Sequence, residues 1–299
     1  MLVKKIIVKR VLQVLVMGVI FFFLTRNLYQ NWQEISTYEW RLNFHWLISS
    51  FLLMVVCALL IALGWNLILR ALGGLLKIGK ALKIFFLAEL ARYLPGKVWS
   101  MVGRVYLCRQ QGVPVSTTSA SLVLQTLVQV VSGLLIFLVS LPFWNSTQGI
   151  GNLYVFFWLI PPGLLLLHPG VITRTVNFSL KRLKRDPVEW NAKYRHILGI
   201  LLLWCGFRML YGTANYFLIL SIYPVPVSQL PVLIGIFSIA WVVGFLSFLT
   251  PSGLGVVEGM LTFLLSFYVP LHIATLIALL SRAWTIGTDL TCVAITSRF

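Results

Sequence analysis

The stretch IFFLAELARYLPGKVWSM, Ile84–Met101, decides how this chain is threaded. It is apolar enough to enter a bilayer. Yet Glu89, Arg92 and Lys97 interrupt it, and Pro95-Gly96 stop any helix that starts at Ile84. Either the segment crosses and every later loop changes side, or it dips in and returns. The basic residues choose between these. If it returns, the N-terminus, the Arg70–Lys83 loop, Arg104 and Arg109, the Arg174–Arg195 loop and Arg298 all share one side, leaving only Arg26 and Arg41 on the other. If it crosses, the run RTVNFSLKRLKRDPVEWNAKYR (Arg174–Arg195) faces outward, against the excess of Lys and Arg expected of cytoplasmic loops. The segment therefore reads as re-entrant from the cytoplasmic side.

Composition makes the membrane unavoidable. The 299 residues are 59% hydrophobic and 10% charged, with a mean hydropathy of +0.93. A soluble domain is about 45–50% apolar and about 25% charged. A soluble enzyme, a disordered tail and a secreted disulfide scaffold are excluded together. The net charge of +17 lies in short clusters between apolar runs, with no extramembrane domain to hold DNA or RNA, so nucleic acid is not an expected partner. Cys57, Cys108, Cys205 and Cys292 are far apart and read as packing residues.

A span needs about 20 apolar residues to cross about 30 Å of hydrocarbon. Val11–Leu24, Trp46–Leu69, Ser116–Leu141, Tyr154–Leu167, Ile197–Ile222, Leu230–Leu249 and Leu271–Ile295 qualify as candidates. Basic residues Lys4, Lys5, Lys9 and Arg10 precede the first, as in a signal peptide, but Thr25-Arg26-Asn27-Leu28 offers no small-residue cleavage site. An uncleaved first span is expected. The predicted fold is all-α: one integral-membrane domain over residues 1–299, a bundle of about seven or eight spans with one or two re-entrant segments. The broken segments fall at about 84–103 and 250–270, and a basic cytoplasmic loop spans 168–196.

The second break is Thr250-Pro251-Ser252-Gly253-Leu254-Gly255. Val256–Pro270 after it gives roughly 22 Å of helix, short of a crossing. One of its ends must lie below the surface, where non-helical backbone is tolerated only inside protein or against a wet cavity. Both halves of the chain thus hold a Pro-Gly break. The basic residues put both toward the cytoplasm, which argues against a simple inverted repeat.

Of the 7 acidic residues, Glu34, Glu39, Asp186 and Glu189 fall in loops, and Glu89, Glu258 and Asp289 fall inside apolar segments. Arg92, Lys97, Arg208 and Arg282 join them at membrane depth. A charge at the bilayer centre costs at least about 2.5–3.5 kcal/mol, so these groups must pair or line a polar cavity. Glu89 and Arg92 are i,i+3 neighbours. Arg208 and Arg282 are expected to meet Glu89, Glu258 or Asp289. The bland readings stand beside these. The charges could serve packing alone, Lys97, Trp99 and Arg104 could snorkel to the interface, and Glu258 could simply cap its helix. Freed N–H groups at Ser252, Gly253 and Gly255 suit an anionic headgroup. The basic loop at Arg174–Arg195 would attract anionic lipid.

Catalytic equipment is sparse. His45, His168, His196 and His272 are scattered, and there is no P-loop, acidic pair for a nucleotide-sugar metal, or GxSxG. No metal and no cofactor is expected.

RYLPGKVWSMVGR (Arg92–Arg104) and TPSGLGVVEGMLTFLL (Thr250–Leu265) resemble two stretches of the lysylphosphatidylglycerol synthase transmembrane-region family. Arg92, Tyr93, Pro95, Gly96, Gly103 and Arg104 match the first; Pro251, Ser252, Gly253, Gly255 and Glu258 match the second. The resemblance covers essentially the whole chain. It implies a helical bundle with re-entrant hairpins that moves or handles lipids between leaflets, as in the flippase region of the multiple peptide resistance factor. The expected location is the bacterial inner membrane, multi-pass, with both termini cytoplasmic by the basic residues. No synthase domain is expected after Phe299, and lysyl-lipid synthesis is not carried over.

The expected function is translocation of a lipid or lipid-linked glycan. Its headgroup would be held by Glu89, Arg92, Lys97, Arg104, Arg208, Ser252, Gly253, Gly255, Glu258, Arg282 and Asp289, with Pro95, Gly96 and Pro251 supplying the breaks. Expected partners are anionic phospholipid or a polyprenyl-phosphate-linked substrate, and a membrane glycosyltransferase is a candidate. The alternatives are an integral-membrane transferase on such a lipid, using Glu258 or Glu89 as base, and a partner subunit of a membrane glycosyltransferase.

Overall fold

The structure, a computed structural model, describes residue 26, residues 42–93, 99–144, 194–247 and 253–298, and part of 158–178. The expected first span Val11–Leu24, the loop with Glu34 and Glu39, Pro95, Gly96, Lys97, Pro251, Ser252, and the basic loop around Asp186 and Glu189 lie outside the described residues.

The elements are helices throughout the described residues: α1 (Phe44–Ala71), α2 (Ile78–Leu90), α3 (Trp99–Gln110), α4 (Val115–Ser140), α5 (Ile160–Leu166), α6 (Tyr194–Leu220), α7 (Leu230–Leu246), α8 (Val256–Leu265) and α9 (Leu271–Thr296). Among the described residues five are, by length and composition, apolar enough to cross a membrane: α1, α4, α6, α7 together with the turn before it (Val227–Leu246), and α9. The expected span Tyr154–Leu167 is represented among the described residues only by α5. Ile48, Leu52, Val139, Leu202 and Phe263 point outward and exposed, as lipid-facing side chains should.

Helix α2 has 13 residues and α3 has 12, about 20 Å each and too short to cross. They pack antiparallel. Lys80 Nζ donates to Gln111 Oε1 at 2.6 Å, at the mouth of the pair. Deeper in, Arg104 on α3 bonds Glu89 on α2. The segment therefore enters and returns at one end of the bundle, as the basic residues required. Gly112, at φ 80°, allows the sharp exit into Pro114 and α4.

The second broken segment is also a hairpin, but it opens at the opposite end. Gly235 near the start of α7 lies against Ser140 at the end of α4. Tyr268 just beyond α8 packs edge-on against Trp144, with ring centroids 6.2 Å apart. Both mouths of the α7–α8 pair thus sit at the end where α4 finishes. Val242 meets Gly133 on α4, so α7 stops well short of the level where α4 begins. Helix α7 therefore ends at Leu246, partway along the bundle. This corrects the expectation that both breaks face the cytoplasm: a 17-residue apolar α7 reads from hydropathy as a complete span, and its depth is set by its neighbours.

Helices α1 and α6 run antiparallel, joined by Ser50 Oγ to Ala214 O at 2.7 Å and Cys57 Sγ to Phe207 O at 3.4 Å. Lys83 Nζ donates to Ser297 O at 3.0 Å, which puts the end of α9 beside the first hairpin's mouth. The order long helix, short hairpin, long helix therefore occurs twice, as α1–α2–α3–α4 and α6–α7–α8–α9. The second set is inverted relative to the first.

Candidate functional site

The hairpin tips meet around a cavity of about 300 Å³, lined by residues of both hairpins and of α1, α4, α6 and α9. At the first tip, α2 gives way to a short 3-10 turn, Ala91–Tyr93, which begins two residues after Glu89. Arg92 Nη1 bonds Glu89 Oε1 at 2.8 Å, and its Nη2 bonds Asp289 Oδ2 on α9. Arg104 Nη2 bonds the other Glu89 oxygen at 2.5 Å, and Nη1 bonds Gln125 Oε1 on α4 at 2.8 Å. Glu89 thus holds two guanidiniums, and through them ties the hairpin to α4 and α9.

Arg104 is a correction to the sequence reading, which counted it among cytoplasmic loop cations. It is buried, with its guanidinium carbon 4.0 Å from the Phe85 ring centroid and 5.4 Å from that of Trp65. The antiparallel hairpin brings it level with Glu89. Charge-assisted hydrogen bonds and the aromatic face offset what desolvation costs.

At the second tip, Glu258 sits in the first turn of α8, and its Oε2 accepts the Gly255 N–H at 2.6 Å. The helix-capping role is therefore real, and the Gly255 N–H, expected to face a headgroup, is taken by the protein's own carboxylate. The capping does not use all of Glu258. Its Oε1 lies 3.6 Å from Arg282 Nε on α9, within ion-pair range and beyond good hydrogen-bond length. Gly253 lines the cavity. Arg282 and Asp289 are two turns apart on one helix, so α9 holds one hairpin by an acid and the other by a base.

Arg208 departs from expectation. It bonds no carboxylate among the described residues. Its Nη2 donates to the Gln129 carbonyl on α4 at 3.1 Å, and its guanidinium lies 3.9 Å from the Trp241 ring centroid on α7. The three intramembrane carboxylates sit on α2, α8 and α9, where other arginines already hold them, whereas Arg208 faces α4 and α7. The cation–π contact supports it by about 0.5–2 kcal/mol and leaves its charge uncompensated.

Gln125, Gln129 and Trp241 are among the lining residues that escaped the sequence reading. The first two were findable, as amides four apart on one face of an apolar helix. Trp241 had no such signal, since an aromatic in the middle of an apolar helix ordinarily faces lipid or core.

A sequence model of the family described as lysylphosphatidylglycerol synthase TM region matches residues 10–290. The chain belongs to this family. No protein of curated function matches it. As a lysylphosphatidylglycerol synthase TM region, it is a multi-pass membrane protein tied to membrane lipids, and the match runs through both hairpins and every charged residue of the cavity.

Proposed function

We propose that this protein moves the headgroup of a membrane lipid, or of a lipid-linked glycan, between the leaflets of the bacterial inner membrane, with both termini cytoplasmic. The observation that carries this reading is the charged cavity where two half-depth hairpins meet from opposite ends. Broken helices that bracket a midplane site, related by an inverted repeat, are how transporters expose one site to either side in turn. The acyl chains stay in lipid, so only the headgroup needs a polar path. Arg92, Arg104, Arg208 and Arg282 supply positive charge to that path; Glu89, Glu258 and Asp289 balance it. Lys97 and Ser252, with the breaks at Pro95, Gly96 and Pro251, belong to this reading by sequence alone.

The transferase alternative needs a carboxylate free to take a proton. Glu89 accepts from two arginines, which favours binding over proton abstraction there.

The test is leaflet exchange in proteoliposomes, with fluorescent phospholipids and polyprenyl phosphates as the panel. Wild type should exchange at least one of them, and Glu258→Gln should slow that exchange about tenfold or more, since it removes a charge-assisted bond at the second tip. No exchange of any lipid by folded wild-type protein would defeat the reading and favour the transferase or partner-subunit alternatives.

A further inference from the structure

The cavity's charges do not cancel, and the imbalance has an address. Among the described lining residues four arginines face three carboxylates, with no lysine or histidine. Arg92, Arg104 and Arg282 each have a carboxylate within ion-pair distance. Arg208 has none among the described residues, although it is only 8% exposed. Its Nη2 is used by a backbone carbonyl, and its Nε and Nη1 have no protein acceptor among those residues. The Trp241 ring lies 3.9 Å from the guanidinium carbon and holds it in place. A buried guanidinium with donors to spare and no counter-charge is built for an oxyanion.

We propose that Arg208 is the anion site of this cavity, and that its ligand is a singly charged phosphodiester whose remaining headgroup is an uncharged polyol. The proposal rests on the translocation reading and names its substrate class.

The charge count selects the diester. One negative charge balances the surplus at Arg208. A phosphomonoester, at about −1.5 to −2 near pH 7, overshoots it. A zwitterionic headgroup brings its own ammonium, which needs a carboxylate; Glu89 and Asp289 are bonded by arginine, and Glu258 is capped by a backbone N–H with Arg282 3.6 Å from its other oxygen. The space admits the polyol. A volume of about 300 Å³ lies at the lower end of the roughly 300–1,000 Å³ of small-molecule sites and takes a phosphate with a glycerol or a sugar. Beyond Arg208 the wall offers Gln125, Thr126, Gln129, Thr285 and Thr288, amides and hydroxyls that match hydroxyl groups rather than a further charge. Such a diester occurs both in glycerol-headed phospholipid and in a sugar joined to a polyprenyl chain through one phosphate.

The experiment measures equilibrium binding to the purified full-length protein in detergent. The probes are dihexanoylphosphatidylglycerol and a farnesyl phosphodiester of a hexose as the two diesters. Dihexanoylphosphatidic acid serves as the monoester and dihexanoylphosphatidylcholine as the zwitterion. At least one diester should bind wild type about tenfold tighter than the monoester and the zwitterion, and which diester does so identifies the source. Arg208→Gln should abolish that preference, and Arg208→Lys should keep part of it.

The proposal is overturned if wild type binds the zwitterion or the monoester as tightly as either diester, or if folded Arg208→Gln keeps the full preference. Should the glutamine variant fail to fold, the wild-type headgroup series still decides. Diester preference without leaflet exchange would sink translocation and leave this site standing. Exchange that survives Arg208→Gln undiminished would do the reverse.

Discussion

The second hairpin depends on two glycines that touch. Gly253 holds φ 68°, and a Cβ there would sit 2.9 Å from the Gly244 carbonyl oxygen, so both conformation and space exclude a side chain. Gly244 in turn has no room, because a Cβ would lie 2.2 Å from Val257 Cγ2. Gly253→Ala should therefore lower stability by about 1–3 kcal/mol, read as a drop in apparent melting temperature in detergent. Gly199→Ala, where nothing lies within 4 Å, should leave it unchanged or slightly higher. Equal melting of the two variants would mean the tip does not pack as described. At this scale the sequence was partly legible. The TPSGLG run announced a break, and Glu89 with Arg92 announced a pair. The surplus charge at Arg208 was not legible, because a sequence shows which charges are buried but not which acids other arginines have already taken.

Among the elements, the first hairpin was readable and the second only half so. Basic residues flank Ile84–Met101 on one side only, and that asymmetry settled its return. No lysine or arginine falls between Arg208 and Arg282, so nothing in the charge pattern reported where α7 and α8 turn. The structure resolves this through packing: Gly235 against Ser140 and Trp144 against Tyr268. Single cysteines in a background without the four native ones can check it. Lys80→Cys and Gln111→Cys should label with a membrane-impermeant maleimide from one face of oriented vesicles. Ser228→Cys and Leu271→Cys should label from the other. Labelling of residues 80 and 111 from opposite faces would show that α2–α3 crosses, and the inverted order of the two halves would fall with it.

For the whole molecule, the consequence of the inverted order is that one helix holds both hairpins. Asp289 on α9 grips Arg92 of the first, and two turns earlier Arg282 faces Glu258 of the second. A headgroup phosphate at Arg208 sits in the cavity that these ion pairs line. In the proposed cycle, loading is coupled to hairpin movement through the contacts that differ between the two states, and the inverted hairpins give one site two access states. Lys83 at the first hairpin and Ser297 at the end of α9 are already joined, Nζ to carbonyl oxygen at 3.0 Å, and mark where to lock that movement. A short cleavable cross-link between Lys83→Cys and Ser297→Cys should reduce leaflet exchange in proteoliposomes about tenfold or more, while binding of the lipid in detergent persists. Cleaving the link should restore exchange. Undiminished exchange under complete cross-linking would show that the first hairpin stays fixed to α9 through the cycle, leaving the α7–α8 pair and its Glu258–Arg282 contact to do the moving.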